Sequence, residues 1–383
     1  MLRPILCISG NEVAARSLLE DGPRRDFVEL AAAVDGEIRW RDDSAVVSRG
    51  RLSRFIGPHV RQAWVAATAA STGQTVFADG EHIGLPLLFF SALRRKRIRV
   101  VMLAHLPAKP WKKALFWLGT RLSAPGRVIL HSSVQGERLR PWVGGHWTAM
   151  VVPYQVDTAF WTSASAQSTE ALVVAAGSEN RDYGTLLKAA RKLPHVRFIV
   201  AAGSHWARRA HTATDVPATV DFISTPLGFS DLRDLYSRAA AVVVPLADVG
   251  NQSGITTMLE AMSMGRPVVV SASQGQRECV AGPLVLANGE FDYSATANRG
   301  PKVLGLQQSG LSGLYVPVGN AEALAAAIER LVADAELALT LGTEGRRTAQ
   351  SSFTIERFVQ TLAAAITSDV QPAKGSAIAD AIN

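Results

Sequence analysis

The chain has 383 residues, 48% of them hydrophobic, which excludes a disordered protein and is too long for one ordinary core, so two domains are expected. Its two cysteines, Cys7 and Cys279, lie far apart and offer neither a disulfide framework nor a metal spacing, which fits a reducing, cytoplasmic setting. The formal charge is +7, and no apolar run approaches a signal peptide or the roughly 18–20 residues needed to span a bilayer.

Short apolar runs at 5–9, 75–78, 99–104 and 128–131 read as strands, with helical patterns at 25–33, 55–71, 85–93 and 111–122. This alternation predicts a doubly wound parallel sheet. The small polar stretch 162–169 reads as a linker. A second set follows, with strands at 172–176, 197–202, 220–223, 242–245 and 268–271 and helices at 183–192, 232–238 and 256–264. Residues 275–310 have weak periodicity and read as an extended loop. A strand at 314–317 and helices at 321–333, 336–341, 344–351 and about 355–366 come next, then a tail after Asp369 with no packing signal, expected to be mobile. The expected fold class is α/β, with two Rossmann-like doubly wound domains facing across a cleft at the carboxyl ends of their strands. The boundaries read as 1–165 and 166–352, then a helix at 353–368 and the tail 369–383.

The stretch from Asn251 to Val270 carries the most chemistry. It runs from a buried strand through a small-residue turn into a helix, so free N–H groups and the helix dipole point at whatever sits there. Gln252, Ser253, Gly254, Ile255, Thr256 and Thr257 form that turn and helix start, the hydroxyls adding donors. Glu260 follows one turn later, in reach of a ribose diol if a nucleotide diphosphate occupies the loop. The bland alternative is a βαβ crossover capped by Ser and Thr.

Residues 252–270 resemble the signature of retaining, nucleotide-sugar-dependent glycosyltransferases of family-4 (group 1) type, in which Glu, seven residues and a second Glu run into "LEAMAxGxPVV". Here the second Glu is Glu260 and the first position is Gln252, which keeps hydrogen-bonding capacity near the donor sugar hydroxyls but brings no charge. The segments "SGLYVPVGNAEALAAAIERLVAD" and "LGTEGRR…FTIERFVQ" are similar to the family's C-terminal pattern. The resemblance implies the GT-B fold, an acceptor-binding first domain, a donor-binding second domain and a last helix crossing back onto the first. It also implies transfer with retention by same-face attack without an enzyme nucleophile. Arg181 fits the Lys of the family's diphosphate-contacting basic pair, while Ser178 stands where its Arg would be. A single guanidinium can still clamp a diphosphate; the alternative is a helix-start Arg paired with Asp182 or Glu179. Gly177 and Gly203 mark further strand-end turns on the donor side.

On the acceptor side His105 ends a strand, where a histidine can bind a sugar hydroxyl or act as acid/base; a buried, satisfied histidine is the alternative. Glu81 and His82 follow another strand, with Asp79 as helix cap being the competing reading, and Arg24 opens the first long helix. No zinc spacing, nucleophile elbow or Walker sequence occurs, and no acidic run suggests a divalent metal, so neither metal nor cofactor is expected beyond the nucleotide-sugar itself. Lys109, Lys112, Lys113 and Arg121 interleave with Trp111, Leu115, Phe116, Trp117 and Leu118. Such a basic aromatic helix suits an anionic membrane surface and a lipid-linked acceptor at the inner face; a solvated helix with its aromatics packed inward is the alternative. No nucleic-acid motif accompanies the charge. Two rivals to a transferase stand: a nucleotide-sugar epimerase, and a non-catalytic nucleotide- or membrane-binding partner subunit.

Overall fold

The computed structural model describes residues 2–10, 12, 22–41, 57–105, 109–163, 170–203, 215–294, 299–306 and 310–368. The tail 369–383 and most of the expected linker lie outside the described residues. Contacts divide the chain into two units: Met1–Glu20, Arg24–Val152 and Glu356–Asn383 form unit 1, and Asp21–Pro23 with Pro153–Ile355 form unit 2.

Unit 1 alternates β1 (Ile5–Ile8), α1 (Asp26–Ala33), β2 (Glu37–Trp40), α2 (Pro58–Ala69), β3 (Thr75–Ala78), α3 (Glu81–Leu93), β4 (Arg99–Leu103), α4 (Pro110–Leu122), β5 (Arg127–Leu130), α5 (Ser133–Leu139) and β6 (Thr148–Val151). All its strand pairings are parallel, in the order β2-β1-β3-β4-β5-β6. The strands are apolar runs because both sheet faces are covered. Along β1, Ile5 and Cys7 enter one apolar cluster and Leu6 and Ile8 the other, as the two-residue pleat requires. The last helix, α11 (Ile355–Thr367), supplies Phe358, Leu362, Ala365 and Ile366 to the second cluster. Its carbonyl end is held by Arg127, whose guanidinium donates to Ser368 O at 2.8 Å.

Unit 2 contains β7 (Leu172–Ala176), α6 (Tyr183–Arg191), β8 (Arg197–Ala201), β9 (Val220–Ile223), α7 (Phe229–Arg238), β10 (Ala241–Val244), α8 (Ile255–Ser263), β11 (Val268–Ser271), β12 (Leu284–Val285), β13 (Phe291–Asp292), β14 (Gly313–Val316), α9 (Ala321–Ala333) and α10 (Ala335–Ser352). Its sheet order is β13-β12-β14-β11-β10-β7-β8-β9, parallel except where β12 meets β13. Val173 and Ala175 of β7 face one core and Leu172, Val174 and Ala176 the other.

The structure adds elements that the periodicity does not announce. β2 and β6 are edge strands with little full burial, so they lack a long apolar run. The 275–310 stretch contains the β12–β13 pair and a short 3₁₀ turn at Pro301–Leu304, not one continuous loop. The two helices expected at 336–341 and 344–351 are one, α10, because Gly342 packs on the Gly265 carbonyl instead of ending a helix. Both cysteines are free and buried. No helix among the described residues is long and apolar enough to cross a membrane.

Candidate functional site

In unit 2 the chain lays β8 and β9 to one side of β7 and then places β10 on the other. The carboxyl ends of β7 and β10 thus flank a topological switch point, where doubly wound sheets hold ligands. Gly177 follows β7 and the loop 245–254 follows β10.

Two glycines shape these turns. Gly177 has φ +92° and Gly254 φ +80°, a left-handed region costly to other residues. A Cβ on Gly177 would lie 2.5 Å from Arg181 Nη2, and one on Gly254 would lie 2.6 Å from Val244 Cγ1 and 3.2 Å from Arg181 Nη1. The Arg181 guanidinium therefore packs against both turns. It is buried, donating from Nε to Ala176 O at 2.9 Å, from Nη1 to Glu179 O at 2.8 Å and from Nη2 to Thr257 Oγ1 at 3.1 Å. Burial lowers its pKa from the ordinary arginine value, against the opposing fields of Tyr183, Tyr236, Glu179 and Glu260. Arg181 pairs through neither the Asp182 carboxylate nor that of Glu179: Asp182 caps α6 by accepting from Thr185 N at 3.0 Å.

The first residues of α8 are Ile255, Thr256 and Thr257, and no side chain caps the helix at Gly254. Its leading N–H groups and dipole thus face out of the turn. Thr256 is exposed, whereas the hydroxyls of Ser253 and Thr257 point into the loop's own framework. Ser253 Oγ accepts from Asn180 Nδ2 at 2.7 Å and from Asn251 Nδ2 at 2.9 Å. Half-buried Glu260 accepts at 3.4 Å from the hydroxyl of buried Tyr236, whose pKa is pushed well up by burial and by the Glu260 charge. Gln252 donates from Nε2 to Glu278 Oε2 at 2.5 Å. Gly203 lies two residues past β8; a Cβ there would lie 2.3 Å from the Thr225 carbonyl, so the backbones of two turns meet at that point. Of the donor candidates, Gly177, Arg181, Gly254 and Thr257 are drawn directly together. Gln252 and Glu260 extend from the same loop and helix, and Gly203 follows the neighbouring strand.

Unit 1 has its own switch point, since β2 and β3 lie on opposite sides of β1. There Asp79, after β3, accepts through Oδ2 from Ser9 N at 2.7 Å and Ser9 Oγ at 2.8 Å. A cavity of about 130 Å³ is lined by Ser9, Asp26, Asp79 and His105, with Phe77 and Leu362 among its apolar walls. Burial raises the Asp79 carboxyl to about 6, against the Ser9 hydrogen bonds and the His105 charge that lower it. Burial also raises Asp26. His105 Nε2 lies 2.8 Å from Asp79 O, and its ring is tilted against His131 with centroids 5.6 Å apart.

His105 is the acceptor candidate that lines this cavity. Glu81 instead supports it from below: the side chain is buried, accepts from His105 N at 2.9 Å and pairs with Lys112 Nζ. Burial alone would raise its pKa, but the Lys112 ammonium outweighs that and holds the carboxyl low. His82 sets its ring edge-on against His59, 4.3 Å between centroids. Arg24 pairs with Glu356 at 2.6 Å. Asp79 does not cap α3; the cap position is Gly80, without a side-chain bond, because Asp79 is committed to Ser9.

Helix α4 buries only Phe116, Gly119 and Thr120. Of its aromatics Phe116 packs inward, whereas Trp111 and Trp117, with Leu118 and Leu122, are exposed. Arg121 lies over the Trp117 ring at 4.5 Å and Lys113 over Trp142 at 5.8 Å. Lys112 turns inward to Glu81. Among the described residues no group of three or more His, Cys, Asp or Glu side chains could hold a metal ion.

Several contributors were not singled out as site residues from the sequence. Tyr236 sits on a helix whose pattern is mostly polar, Asp26 and Asp79 look like capping residues, and Glu278 falls in the stretch read as loop. An acidic residue directly after a switch-point strand was the available signal for Asp79.

Residues 169–334 match the family model described as glycosyl transferases group 1. Among curated protein sequences none matches the chain. The sucrose-phosphate synthase of Thermosynechococcus elongatus superposes with a TM-score of 0.65 at 17% identity, over 94% of this chain and 97% of that one. Anabaena HepE, in complex with UDP and glucose, gives 0.61 at 15% identity over 95% and 99%. A glycosyltransferase of Rickettsia africae gives 0.62 at 12% identity over 96% and 99%. At such identities the likeness speaks for the fold. The chain therefore has the GT-B fold, and its residues 169–334 are similar to the group 1 glycosyl transferases.

Proposed function

We propose that the protein transfers a sugar from a nucleotide-sugar to an acceptor hydroxyl, with the donor held by unit 2 and the acceptor by unit 1. The observation that carries this reading is the convergence at the unit 2 switch point of the Gly177 turn, the open start of α8 at Gly254, and Arg181 packed against both. The α8 N–H groups and the Thr256 hydroxyl would take the diphosphate, and Glu260 the ribose diol. As the glycosidic bond breaks, negative charge grows on the diphosphate; the helix dipole and the Arg181 cation are already oriented to meet it, without a metal or further cofactor in the scheme. HepE, a structural relative, is seen with UDP and glucose, which makes uridine nucleotides the first donors to try.

On the acceptor side His105 would bind or deprotonate the attacking hydroxyl, its imidazole oriented by the Asp79 carbonyl and its backbone by Glu81. The proposal includes retention of configuration by same-face attack, as the signature resemblance implies. The exposed Trp111, Trp117, Leu118 and Leu122 beside Lys109, Lys113 and Arg121 favour a peripheral site on an anionic membrane and a lipid-linked acceptor of envelope glycan or glycolipid synthesis. Co-sedimentation with vesicles containing phosphatidylglycerol, lost in a Trp111→Ala/Trp117→Ala variant, is the expected result. Equal pelleting with neutral vesicles would remove the charge argument.

A second reading is a non-catalytic nucleotide-binding subunit. It is favoured by Gln252 and Ser178 at the signature's charged positions and by the commitment of Arg181 to main-chain carbonyls. Release of nucleoside diphosphate from a nucleotide-sugar separates the two. Turnover that stops in Glu260→Ala and His105→Ala supports the transferase; saturable binding without turnover across extracted acceptors supports the subunit.

A further inference from the structure

Helix α7 is polar along most of its length and buries one residue fully, Tyr236. The ring packs in the apolar cluster that holds Val174, Val242 and Leu259, and its centroid lies 5.7 Å from that of buried Trp161. Phenylalanine would fill that space as well, so the hydroxyl needs a separate account: a buried O–H is costly unless it is bonded. Two groups of α8 meet it. The hydroxyl donates to Glu260 Oε2 at 3.4 Å, and Thr257, one turn before Glu260 on the same helix face, brings its own hydroxyl to the phenol oxygen.

Burial and the Glu260 charge hold the phenol well above its ordinary pKa, so it keeps its proton and serves the carboxylate as a donor. Arg181 joins the same group, since its Nη2 donates to Thr257 Oγ1 at 3.1 Å. The cation assigned to the diphosphate and the carboxylate assigned to the ribose are thus linked through two buried hydroxyls, those of Thr257 and Tyr236. Glu260 itself is half-buried, so a ligand can reach it. A glutamate carboxylate swings about a broad terminal torsion, and a ligand that binds it must freeze that motion. A donor fixed in the core removes part of that cost. Such hydrogen bonds are often long in unliganded sites and tighten when the ligand arrives.

We propose that Tyr236 is a positioning residue whose hydroxyl holds the Glu260 carboxylate in the attitude that accepts the ribose hydroxyls, and that it thereby sets a preference for ribose over 2′-deoxyribose. The phenol never touches the nucleotide; it acts through Glu260 alone. The inference rests on the transferase reading and deepens it, naming the residue that makes this donor site selective for ribonucleotides.

The test measures affinities for UDP, GDP and ADP and for their 2′-deoxy counterparts by titration calorimetry. It uses the wild-type chain, Tyr236→Phe, Glu260→Ala and the double variant Tyr236→Phe/Glu260→Ala. For the base that binds, the wild-type chain is expected to favour the ribonucleotide about tenfold, the scale of one hydrogen bond to a charged group. Tyr236→Phe keeps the ring and its packing. Its preference is expected to fall to about threefold or less, while affinity for the 2′-deoxy nucleotide stays within about twofold of wild type. Glu260→Ala should abolish the preference, and adding Tyr236→Phe to it should change the ratio no further. A merely structural role for Tyr236 would weaken both nucleotides alike and leave the ratio unmoved. An undiminished ratio in Tyr236→Phe, or a wild-type chain that binds both sugars equally, overturns this inference alone. A wild-type chain that binds no nucleotide overturns it together with the reading beneath it.

Discussion

Replacement of Arg181 by Lys separates two roles that a cation at this place could play. Lys keeps the charge but loses the planar fork, and the fork makes three hydrogen bonds, at 2.9, 2.8 and 3.1 Å, to Ala176 O, Glu179 O and Thr257 Oγ1. One ammonium on a flexible stem can reach one or two of these acceptors. At least one charge-assisted bond is lost, worth about 1.5–3 kcal/mol, and a buried carbonyl loses its donor, so the total cost is ~2–5 kcal/mol. For a unit of this size each kcal/mol moves the melting temperature by about 2–4 °C, so a drop on the order of 5–15 °C is expected in unit 2. Hydrogen exchange read by mass spectrometry should localise the loosening to the Gly177 turn and the 245–254 loop, because the guanidinium packs against both. Nucleoside diphosphate affinity should fall with it. A variant that melts within about 2 °C of wild type, with unaltered exchange in both turns, would refute the packing argument and leave Arg181 as a charge alone.

The remaining predictions concern the other contacts. Gly254→Ala forces an L-residue to φ +80° with its Cβ 2.6 Å from Val244 Cγ1, so a loss of about 2–5 kcal/mol and weaker nucleotide binding are expected on chemical denaturation. Lys112→Met leaves Glu81 buried without its cation and should cost about 3–5 kcal/mol, shifting the His105 ring resonances by NMR. Two groups in unit 1 should act oppositely on acid stability. His131 is pushed down to about 3 by burial and by the His105 charge, so its stabilising contribution is full above the unfolded value of about 6.5 and is lost as pH falls from there towards 3. Asp79, raised to about 6, binds its proton more tightly folded than unfolded, so its contribution is full below about pH 4 and lost as pH rises towards 6. His131→Asn should therefore flatten the acid limb of urea midpoints between pH 4 and 6, and Asp79→Asn should steepen it; the same change of slope in both would contradict the signs.

Much of the fold was legible because β1, β3, β4, β5, β7, β10 and β11 are buried on both faces and so appear as unbroken apolar runs. The edge strands β2 and β6 were hidden for the converse reason: an edge strand with one half-wet face carries Glu37, Arg39 or Thr148 and gives no run. In the site, Gly254 and Glu260 are fixed by local spacing along one loop and helix, which a sequence displays directly. Tyr236, Asp79 and Glu278 reach their partners across 24, 70 and 26 positions, and nothing local marks such contacts. Arg181 shows a different limit. Its place in the chain was visible, but that its guanidinium would turn under two glycine turns depends on the absence of two Cβ atoms, known only once the loops are folded. The inward turn of Lys112 is of the same kind, since helical spacing put it with the exposed basic residues while a buried Glu81 drew it in.

The most direct test of the central claim is nucleotide binding at the unit 2 switch point. Wild-type and Glu260→Ala protein should be melted with rising concentrations of UDP, GDP, ADP and their sugar conjugates. One base should stabilise the wild-type chain saturably, by about 2.7 kcal/mol at a hundredfold excess over the dissociation constant, and the effect should largely vanish in the variant. Wild-type protein that ignores every nucleotide, or a Glu260→Ala variant that responds as wild type does, would contradict the assignment of this site to a nucleotide-sugar.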